Sequence, residues 1–522
     1  MKPISLPFVL ASVLFLVGCA ADPHRPAFSL ASDEAFDVAG IQAYADDHRD
    51  IYRHIDTNIE THLGELQRWV RQRSISAQDD GVDAMAEMLR ADLEGIGFTE
   101  TRLVETPGHP GVWGYYDAGA ETTLLVYMMY DVQPVEDNWS IDDPFAGTLV
   151  EDGRGTVLMA RGATNQKGPQ RALLNALQSI IAVRGDLPVN VMVLAEGEEE
   201  LGSPNYPLLV SRFESRLRGA DGVFFPMNLQ DAEGRLTLNL GVKGILYFEL
   251  EAQGGDWGGP SQFEIHGSYK ALVDSPTWRL VNGLSSLVSD DGNTIVVPDY
   301  YEGIRPPTVE ESRLVNGLAE SQPDPGAAMQ AMGISRFIDD VTGRDALLEL
   351  YYQPTLNIDG LVSGYTGEGV KTILPHRALA KVDSRLPYGL DPDVQLEKIR
   401  RHLDAEGFGE LEIRKLSAYP ASQTSVEADI VQAALSVFAK YGEITGVAPR
   451  LAGSAPFYQF TERLDLPMVF GGVGNGGRAH APDEYMVIYP AAGSAVAGLA
   501  DIEKSYVDML FAFAKMKAGN QR

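Results

Sequence analysis

Three consecutive carboxylates, Glu198, Glu199 and Glu200, follow an apolar stretch that begins at Val189, and His480 stands far downstream, within Arg478-Ala-His-Ala-Pro-Asp-Glu-Tyr485. Carboxylates and imidazoles take up and return protons in hydrolysis, and they are also the groups that hold a divalent cation. Taken alone, an acidic run is more often a solvated face and a lone histidine more often structural. Two further polar residues are placed in a similar way. Asp131 comes directly after the apolar run Thr123-Leu-Leu-Val-Tyr-Met-Met-Tyr130, and Asn165 lies within Gly162-Ala-Thr-Asn-Gln-Lys-Gly-Pro169.

These residues need rigid supports, and the hydrophobic pattern supplies them. The run Thr123–Tyr130 reads as a buried strand that opens on Asp131, and Val189–Ala195 as a second one that opens on the acidic stretch Glu196-Gly-Glu-Glu-Glu200. Helical spacing covers Lys167–Val183 between them. Upstream, a helical pattern runs from about 41 to 71 with Ile51, Ile55, Ile59 and Leu63 on one face, and another spans Val82–Ile96 with Met85, Leu89 and Leu93 inward. Strand–helix–strand alternation predicts an α/β sheet, where sites gather at the carboxyl ends of strands.

The middle of the chain has a different rhythm. Tyr247–Gln253, Ala378–Leu386 and Gly409–Leu416 are strand-like, and Ser275–Val288 and Pro392–Leu403 are helical. This predicts a smaller α+β domain inserted at about 244–425. Helical and strand patterns resume with Val426–Lys440, Pro467–Phe470 and a last helix near Ile502–Lys515.

Length and composition are those of a globular protein of two or three domains. With 42 basic and 73 acidic residues the formal charge is −31. Such a surface repels phosphate backbones, so nucleic acid is not an expected partner. At the N-terminus, Lys2 precedes an apolar run from Ile4 to Val17, too short to span a bilayer comfortably and read as a signal peptide. It ends in Leu16-Val17-Gly18-Cys19, which resembles a bacterial lipobox. Cys19 is the only cysteine, so an intrachain disulfide and a thiolate metal cluster are both excluded. The expectation is cleavage before Cys19 and lipid attachment there, giving an exported, membrane-anchored chain. Ala20 at the next position points to the outer membrane, facing the periplasm. Residues 20–44, polar and small, are expected to be a flexible tether.

The motifs together resemble the aminoacylase/carnosinase/carboxypeptidase-type metallopeptidases. Tyr127-Met-Met-Tyr-Asp-Val-Gln-Pro134 is similar to the family's Y-G-H-Y-D-V-Q-P, and Gly162-Ala-Thr-Asn-Gln-Lys-Gly-Pro169 to its G-A-T-D-N-K-G-P. Glu196-Gly-Glu-Glu-Glu-Leu-Gly-Ser203 resembles E-G-x-E-E-x-G-S, and Arg478-Ala-His-Ala-Pro-Asp-Glu-Tyr485 the closing H-x-P-x-E. Phe224-Phe-Pro-Met-Asn228 lies where the family has a strand ending in S-D-N. The likeness covers about residues 45 to 515. It implies an α/β catalytic domain in two segments, 45–243 and 426–518, with an α+β lid and dimerisation domain at 244–425.

In that family two zinc ions share a bridging carboxylate and a water, and a neighbouring glutamate deprotonates the water as it attacks an amide carbonyl. Carried over residue by residue, the pattern fails at three of five ligand positions. Met129 replaces a histidine, Asn165 the bridging aspartate, and Met227 an acidic ligand. Glu200 and His480 match two ligands of the other metal, with Asn165 as a weak third, and Glu199 matches the base. Asp131 matches the residue that orients the lost histidine. Thioether sulfur is a poor zinc ligand, and both methionines are read as core filling. One zinc or none is therefore expected.

On the substrate side, His266 resembles the lid histidine that the family presents to an oxyanion, commonly across a dimer interface, although Ile265-His-Gly-Ser268 inverts the family's H-S-G order. Arg385, in Asp383-Ser-Arg-Leu-Pro387, resembles the arginine that grips a substrate carboxylate. Gly453-Ser454 resembles a G-G-S turn near the substrate C-terminus, with Ala452 in place of one glycine. The resemblance implies a homodimer that hydrolyses amide bonds in dipeptides or N-acyl amino acids. The missing ligands leave two alternatives open. One is a non-catalytic lipoprotein that binds small carboxylates, and the other is metal-free amide or acyl-transfer chemistry on Glu199.

Overall fold

The computed structural model describes residues 25–321, 329–330 and 332–520, so the signal peptide and Cys19 lie outside the described residues. Among the described residues no helix is long and apolar enough to cross a membrane. The first half of the chain runs through α1 (Arg49–Arg71), α2 (Val82–Ile96), β1 (Glu100–Val104), β2 (Gly111–Tyr116), β3 (Thr123–Met129), β4 (Thr148–Asp152), β5 (Gly155–Met159), α3 (Lys167–Arg184), β6 (Asn190–Glu196), α4 (Tyr206–Leu217), β7 (Gly222–Pro226) and β8 (Arg235–Asn239). All seven residues of β3 and all seven of β6 are buried, as their unbroken apolar character requires of strands covered on both faces.

After the short β9 (Gly241–Val242) come β10 (Gly244–Gln253), β11 (Ile265–His266), α5 (Pro276–Ser285), α6 (Val309–Ser321), α7 (Gly343–Tyr352), β12 (Asn357–Ser363), β13 (Ile373–Leu374), β14 (Arg377–Leu386), α8 (Pro392–Ala405) and β15 (Glu412–Tyr419). The chain finishes through β16 (Ser422–Gln423), α9 (Asp429–Tyr441), β17 (Glu443–Ala448), β18 (Met468–Gly471), β19 (Gly476–Gly477), β20 (Tyr485–Pro490) and α10 (Leu499–Asn520).

The central sheet has the order β1-β2-β6-β3-β7-β18 and is parallel from β6 to β18. Its two faces bury separate apolar clusters. One is filled by α1, α2, α3, α9 and α10, the other by α4 and the segment 457–466. A second sheet, β19-β20-β5-β4, brings the closing motif beside the 160–165 turn, where the backbone N–H of Ala160 donates to the carbonyl of Glu484 at 3.0 Å. The inserted domain is the antiparallel sheet β12-β14-β10-β15, backed by α5 and α8 over a core that includes Leu246, Phe248, Val382 and Leu403. The chain enters and leaves it through β9 and β16, which pair with each other.

Two expectations need correction. First, the segment after residue 24 is not a loose tether. Phe28 and Leu30 pack with Leu318, Leu348 and Tyr352, while Phe36, Val38, Ile41 and Tyr44 pack against the main core. The side-chain amide of Asn316 donates to the carbonyls of Ser32 (2.9 Å) and Glu34 (2.8 Å), and Gln353 Nε2 donates to that of Pro26 (2.6 Å). This strap also displaces the start of the first helix, which begins at Arg49 rather than near 41. Second, α6 and α7 do not join the lid sheet. They pack on Ala448 of β17, and the buried guanidinium of Arg450 ties Glu311 of α6 to the carbonyl of Tyr351 in α7.

Candidate active site

Strands β3, β6 and β7 run parallel and end together. Met129 pairs with Glu196 across β3 and β6. Between β3 and β7 the register is Leu124↔Gly222, Leu125↔Val223 and Val126↔Phe224. Alternation puts Leu125, Tyr127 and Met129 on one face, with Val223 and Phe225, and all of these belong to the cluster under α4. Met129 is 2% exposed within it, and the half-buried Met227 and Ala455 pack on its rim. The two methionines thus extend the apolar core to the strand ends.

Asp131 is fully buried just beyond β3. Its Oδ2 accepts from Ser76 Oγ at 2.8 Å and from the backbone N–H of Glu200 at 3.1 Å, and its Oδ1 accepts from the N–H of Glu199 at 3.2 Å. Without a histidine at position 129, this carboxyl orients the acidic turn after β6. Burial and then the charge of Glu200 push its pKa up to about 7.

Glu200 is hemmed in by side chains. Its Oε1 accepts from Asn165 Nδ2 at 2.7 Å, its Oε2 accepts from Gln133 Nε2 at 2.8 Å, and His480 Nε2 lies 3.2 Å from Oε2. Asn165 Nδ2 is also 2.9 Å from His480 Nε2. One ring nitrogen fills one role at a time, so Nε2 either donates to Glu200 or accepts from Asn165. The bond to Glu200 raises the pKa of His480, which favours the first. Asn165 is held from behind by Glu484, whose Oε1 accepts from the N–H groups of Thr164 (3.0 Å) and Asn165 (2.9 Å) and whose Oε2 takes Arg161 Nη1 at 2.8 Å.

Glu199 differs from its neighbours. Its carboxyl accepts no hydrogen bond from the described residues, and burial, then the charges of Glu200, Asp131 and Glu196, raise its pKa well above the carboxylate range. Glu196 lies deeper and accepts from Tyr127 Oη (2.6 Å) and Ser203 Oγ (2.8 Å) through Oε1, while its Oε2 is buried without a partner. Burial pushes its pKa up to about 8. The intervening Gly197 is required sterically, because a Cβ there would come within 2.5 Å of the Tyr130 ring.

From the lid, Arg385 Nη1 donates to Ser454 Oγ at 3.0 Å and its Nε to Asp383 Oδ1 at 2.9 Å. Ser454 in turn donates to the carbonyl of Gly244, and that of Gly453 accepts from the N–H of Lys243. Tyr419 lies between this group and the acids. It stacks on Tyr458 at 5.9 Å, and its pKa is raised by burial and then by Glu199, with Arg385 opposing. His266 is not brought to these residues. It is exposed, with Nδ1 2.8 Å from Ser268 Oγ and Nε2 3.2 Å from Thr372 Oγ1, all within the inserted domain.

The family implies zinc, so the donors must be weighed against it. Zinc takes anionic oxygen, neutral imidazole or thiolate at about 2.0–2.3 Å. Here two of the family's ligand positions are thioethers in an apolar cluster, and the bridging position presents amide N–H groups to Glu200. Among the described residues no group of three His, Cys, Asp or Glu converges. The residues do not fit the two-zinc centre, and Asn165 faces Glu200 as a donor rather than turning a carbonyl inward as a ligand would.

Residues that the sequence reading passed over hold this arrangement together. Gln133 and Glu484 stand inside the quoted motifs and were open to being singled out. Ser76 comes from a segment without periodic pattern, and Tyr419 lies just past the strand-like segment 409–416, where nothing local marks it as a site residue.

An α/β sheet with an acidic turn at its parallel strand ends, under an inserted α+β lid, is the architecture of a two-domain metallopeptidase. Residues 125–501 match the model of peptidase family M20/M25/M40, and the chain belongs to that family. It is 31% identical over 337 residues to the rat Beta-Ala-His dipeptidase, covering 64% of this chain and 63% of that one. It is 28% identical over 353 residues to a Cys-Gly metallodipeptidase of Candida albicans, covering 64% and 69%. The alignments thus span less than two thirds of the rat enzyme's length. Among solved structures, an M20 family metallo-carboxypeptidase of Sulfolobus solfataricus superposes with a TM-score of 0.76 at 32% identity, covering 87% of this chain and 98% of that one.

Proposed function

We propose that this chain hydrolyses the amide bond of dipeptides or N-acyl amino acids, with Glu199 as the proton-transfer group. The observation that carries the reading is the free, half-buried carboxyl of Glu199 beside Glu200, with Tyr419 feeling both Glu199 and the lid's Arg385. Family membership and the dipeptidase relatives support the reaction class. In this reading Arg385 and Ser454 hold the substrate carboxylate, and Glu199 takes a proton from the attacking water and returns it to the leaving amine. Burial and the surrounding carboxylates raise the proton affinity of Glu199, the direction in which a proton-transfer group is tuned. Glu200 and His480 would hold at most one divalent cation.

The test is Glu199→Gln, which removes the proton acceptor and keeps the shape. Hydrolysis of a dipeptide and N-acyl amino acid panel by the parent, lost in the variant while ligand binding persists, supports the reading. Unchanged activity in the variant points to another base. The apolar replacements at Met129 and Met227 favour one rival, a binding lipoprotein that captures small carboxylates through Arg385 and Gly453-Ser454. A parent that binds the panel and turns over none of it establishes that rival.

Two accompanying proposals concern assembly and location. Strand β12 forms one edge of the lid sheet and exposes Ile358, Leu361 and Val362, which suits pairing of two chains through the inserted domain. A strict monomer by light scattering, active and indifferent to His266→Ala, overturns this. Export and lipid anchoring at Cys19 rest on the lipobox. Retention of Cys19→Ser in the membrane fraction, or failure of the parent to incorporate labelled palmitate, overturns them.

A further inference from the structure

Arg385 belongs to the lid sheet and Ser454 to the catalytic domain, so their alignment depends on what ties the two domains together. Lys243 stands at one crossing between them, in the single-residue gap between β9 and β10. Its backbone N–H donates to the carbonyls of Leu451 (3.1 Å) and Gly453 (3.0 Å), and the next carbonyl, that of Gly244, accepts from Ser454 Oγ at 3.1 Å. The Lys243 side chain is 2% exposed and reaches a second crossing. There its Nζ donates to the carbonyls of Leu350 (2.8 Å) and Gln353 (2.6 Å) at the C-terminal end of α7. The free carbonyls and negative dipole end of a helix terminus suit a cation. Two residues on, Thr355 clamps the backbone of Arg385. Its N–H donates to the Arg385 carbonyl at 3.1 Å, and its Oγ1 accepts from the Arg385 N–H at 2.9 Å. Gln353 is itself pinned, with Nε2 donating to the carbonyl of Pro26 at 2.6 Å.

We propose that Lys243 is a positioning residue for substrate capture. Its bond to Gln353 joins the segment that carries Ser454 to the segment that carries Arg385, and so aligns the two groups that hold a carboxylate. This rests on the proposed carboxylate capture and adds the residue that sets its geometry. Among the described residues the ammonium donates to two carbonyls and to no carboxylate, the pattern of a joint rather than of an ion pair. An arginine and a hydroxyl hold a carboxylate through directed hydrogen bonds, and a displacement of about 1 Å is enough to lose them. Lys243, being buried, acts on the ligand only through the pair it aligns.

The test is a double-mutant cycle in the full-length chain carrying Glu199→Gln, so that nothing is consumed. The readout is the calorimetric Kd for glycylglycine, N-acetylglycine and N-acetylleucine. Lys243→Met keeps the bulk, removes the donors and should weaken binding about tenfold. Ser454→Ala removes one of the two aligned groups and is mild enough to leave binding measurable. In that background Lys243→Met should cost less than about twofold, because there is no longer a pair to align. Equal losses in the two backgrounds mean that the charge acts through space or that the fold is damaged generally, and overturn the proposal. So does a Lys243→Met chain that binds as the parent does. Where Lys243→Met does not fold, Thr355→Val at an exposed position replaces it and frees the Arg385 N–H. It should weaken binding about threefold, again only while Ser454 is present, and additive losses overturn the proposal. Failure of the carboxylate-capture reading looks different. Ser454→Ala then leaves every Kd unchanged, or the parent binds none of the three probes, and the alignment role falls with it.

Discussion

Asn165 donates its side-chain N–H to Glu200 Oε1 at 2.7 Å, at the position where the family has a carboxylate shared between cations. A donor has replaced an acceptor, and the positive end of an amide dipole does locally what a cation would do. Gln133 donates to the other oxygen at 2.8 Å, so Glu200 is satisfied by protein groups alone. Asn165→Asp should therefore place two carboxylates in contact, with the His480 imidazole beside both as a counter-charge that is lost as it deprotonates. One of the pair then has its folded pKa raised above the unfolded value of about 4. The sign follows: the variant should match the parent below pH 4 and fall behind as pH rises toward neutral. Melting temperatures across pH 4 to 8 measure this, and equal stability at pH 7.5 refutes the amide's role as cation substitute.

Glu196 gives a second pH dependence of the same sign. Its carboxyl has a pKa of about 8 in the folded chain, against about 4.3 for a free glutamate. The folded state thus binds the extra proton over that interval, and the stability associated with it is present at acid pH and lost as pH rises through 8. Glu196→Gln keeps an oxygen for Tyr127 and Ser203 and cannot ionise. The difference in unfolding free energy between variant and parent should grow with pH, at no more than about 1.4 kcal/mol per unit, and flatten above 8. Denaturant titrations at pH 5, 6.5 and 8 suffice, and a difference independent of pH counts against a neutral Glu196.

The strap makes a prediction about order. Asn316 holds it by two hydrogen bonds from one buried amide, to the carbonyls of Ser32 and Glu34. Asn316→Ala leaves both carbonyls without that partner and should cost on the order of 1–3 kcal/mol. Limited proteolysis should then cut within residues 25–36 much sooner than in the parent. An unchanged cleavage pattern would mean that the apolar contacts of Phe28 and Leu30 hold the segment alone.

The strap also marks where the sequence falls short. Its apolar residues are scattered among small and polar ones without helix or strand spacing, and its register comes from distant partners, as with Ser32 and Asn316, 284 positions apart. No local periodicity reports such contacts. The helices α6 and α7 escaped for a related reason, since their sequence position inside the insertion says nothing about the β17 surface they cover. The buried strands β3 and β6 and the helices α2 and α3 were legible because unbroken or 3.6-residue apolar patterns fix them locally. At the site, residue identities at the family's ligand positions were readable. The donor role of Asn165 and the contacts that now employ Asp131 were not, because each depends on a partner from another strand or loop.

The fullest test of the site restores what has been replaced. Met129→His, Asn165→Asp and Met227→Asp together return the family's three missing ligands to positions whose backbone is already set by β3, the 160–165 turn and β7. Asp131 is buried beside the first of these, and Glu199, Glu200 and His480 need no change. Each substitution alone should be neutral or destabilising. Met227→Asp sets a charge on an apolar rim, Asn165→Asp opposes Glu200, and Met129→His puts a polar ring into a cluster that offers it no partner. Only the triple variant balances these costs, by binding cations, so its stability should be strongly non-additive and dependent on zinc. Elemental analysis should find more zinc per chain than in the parent, and melting temperature should rise with added zinc in the triple variant alone. Dipeptidase activity should appear or increase with it. A triple variant that folds, takes up no additional zinc and remains inert would mean that the pocket has been rebuilt beyond its ligands. Capture of small carboxylates would then be the function to pursue.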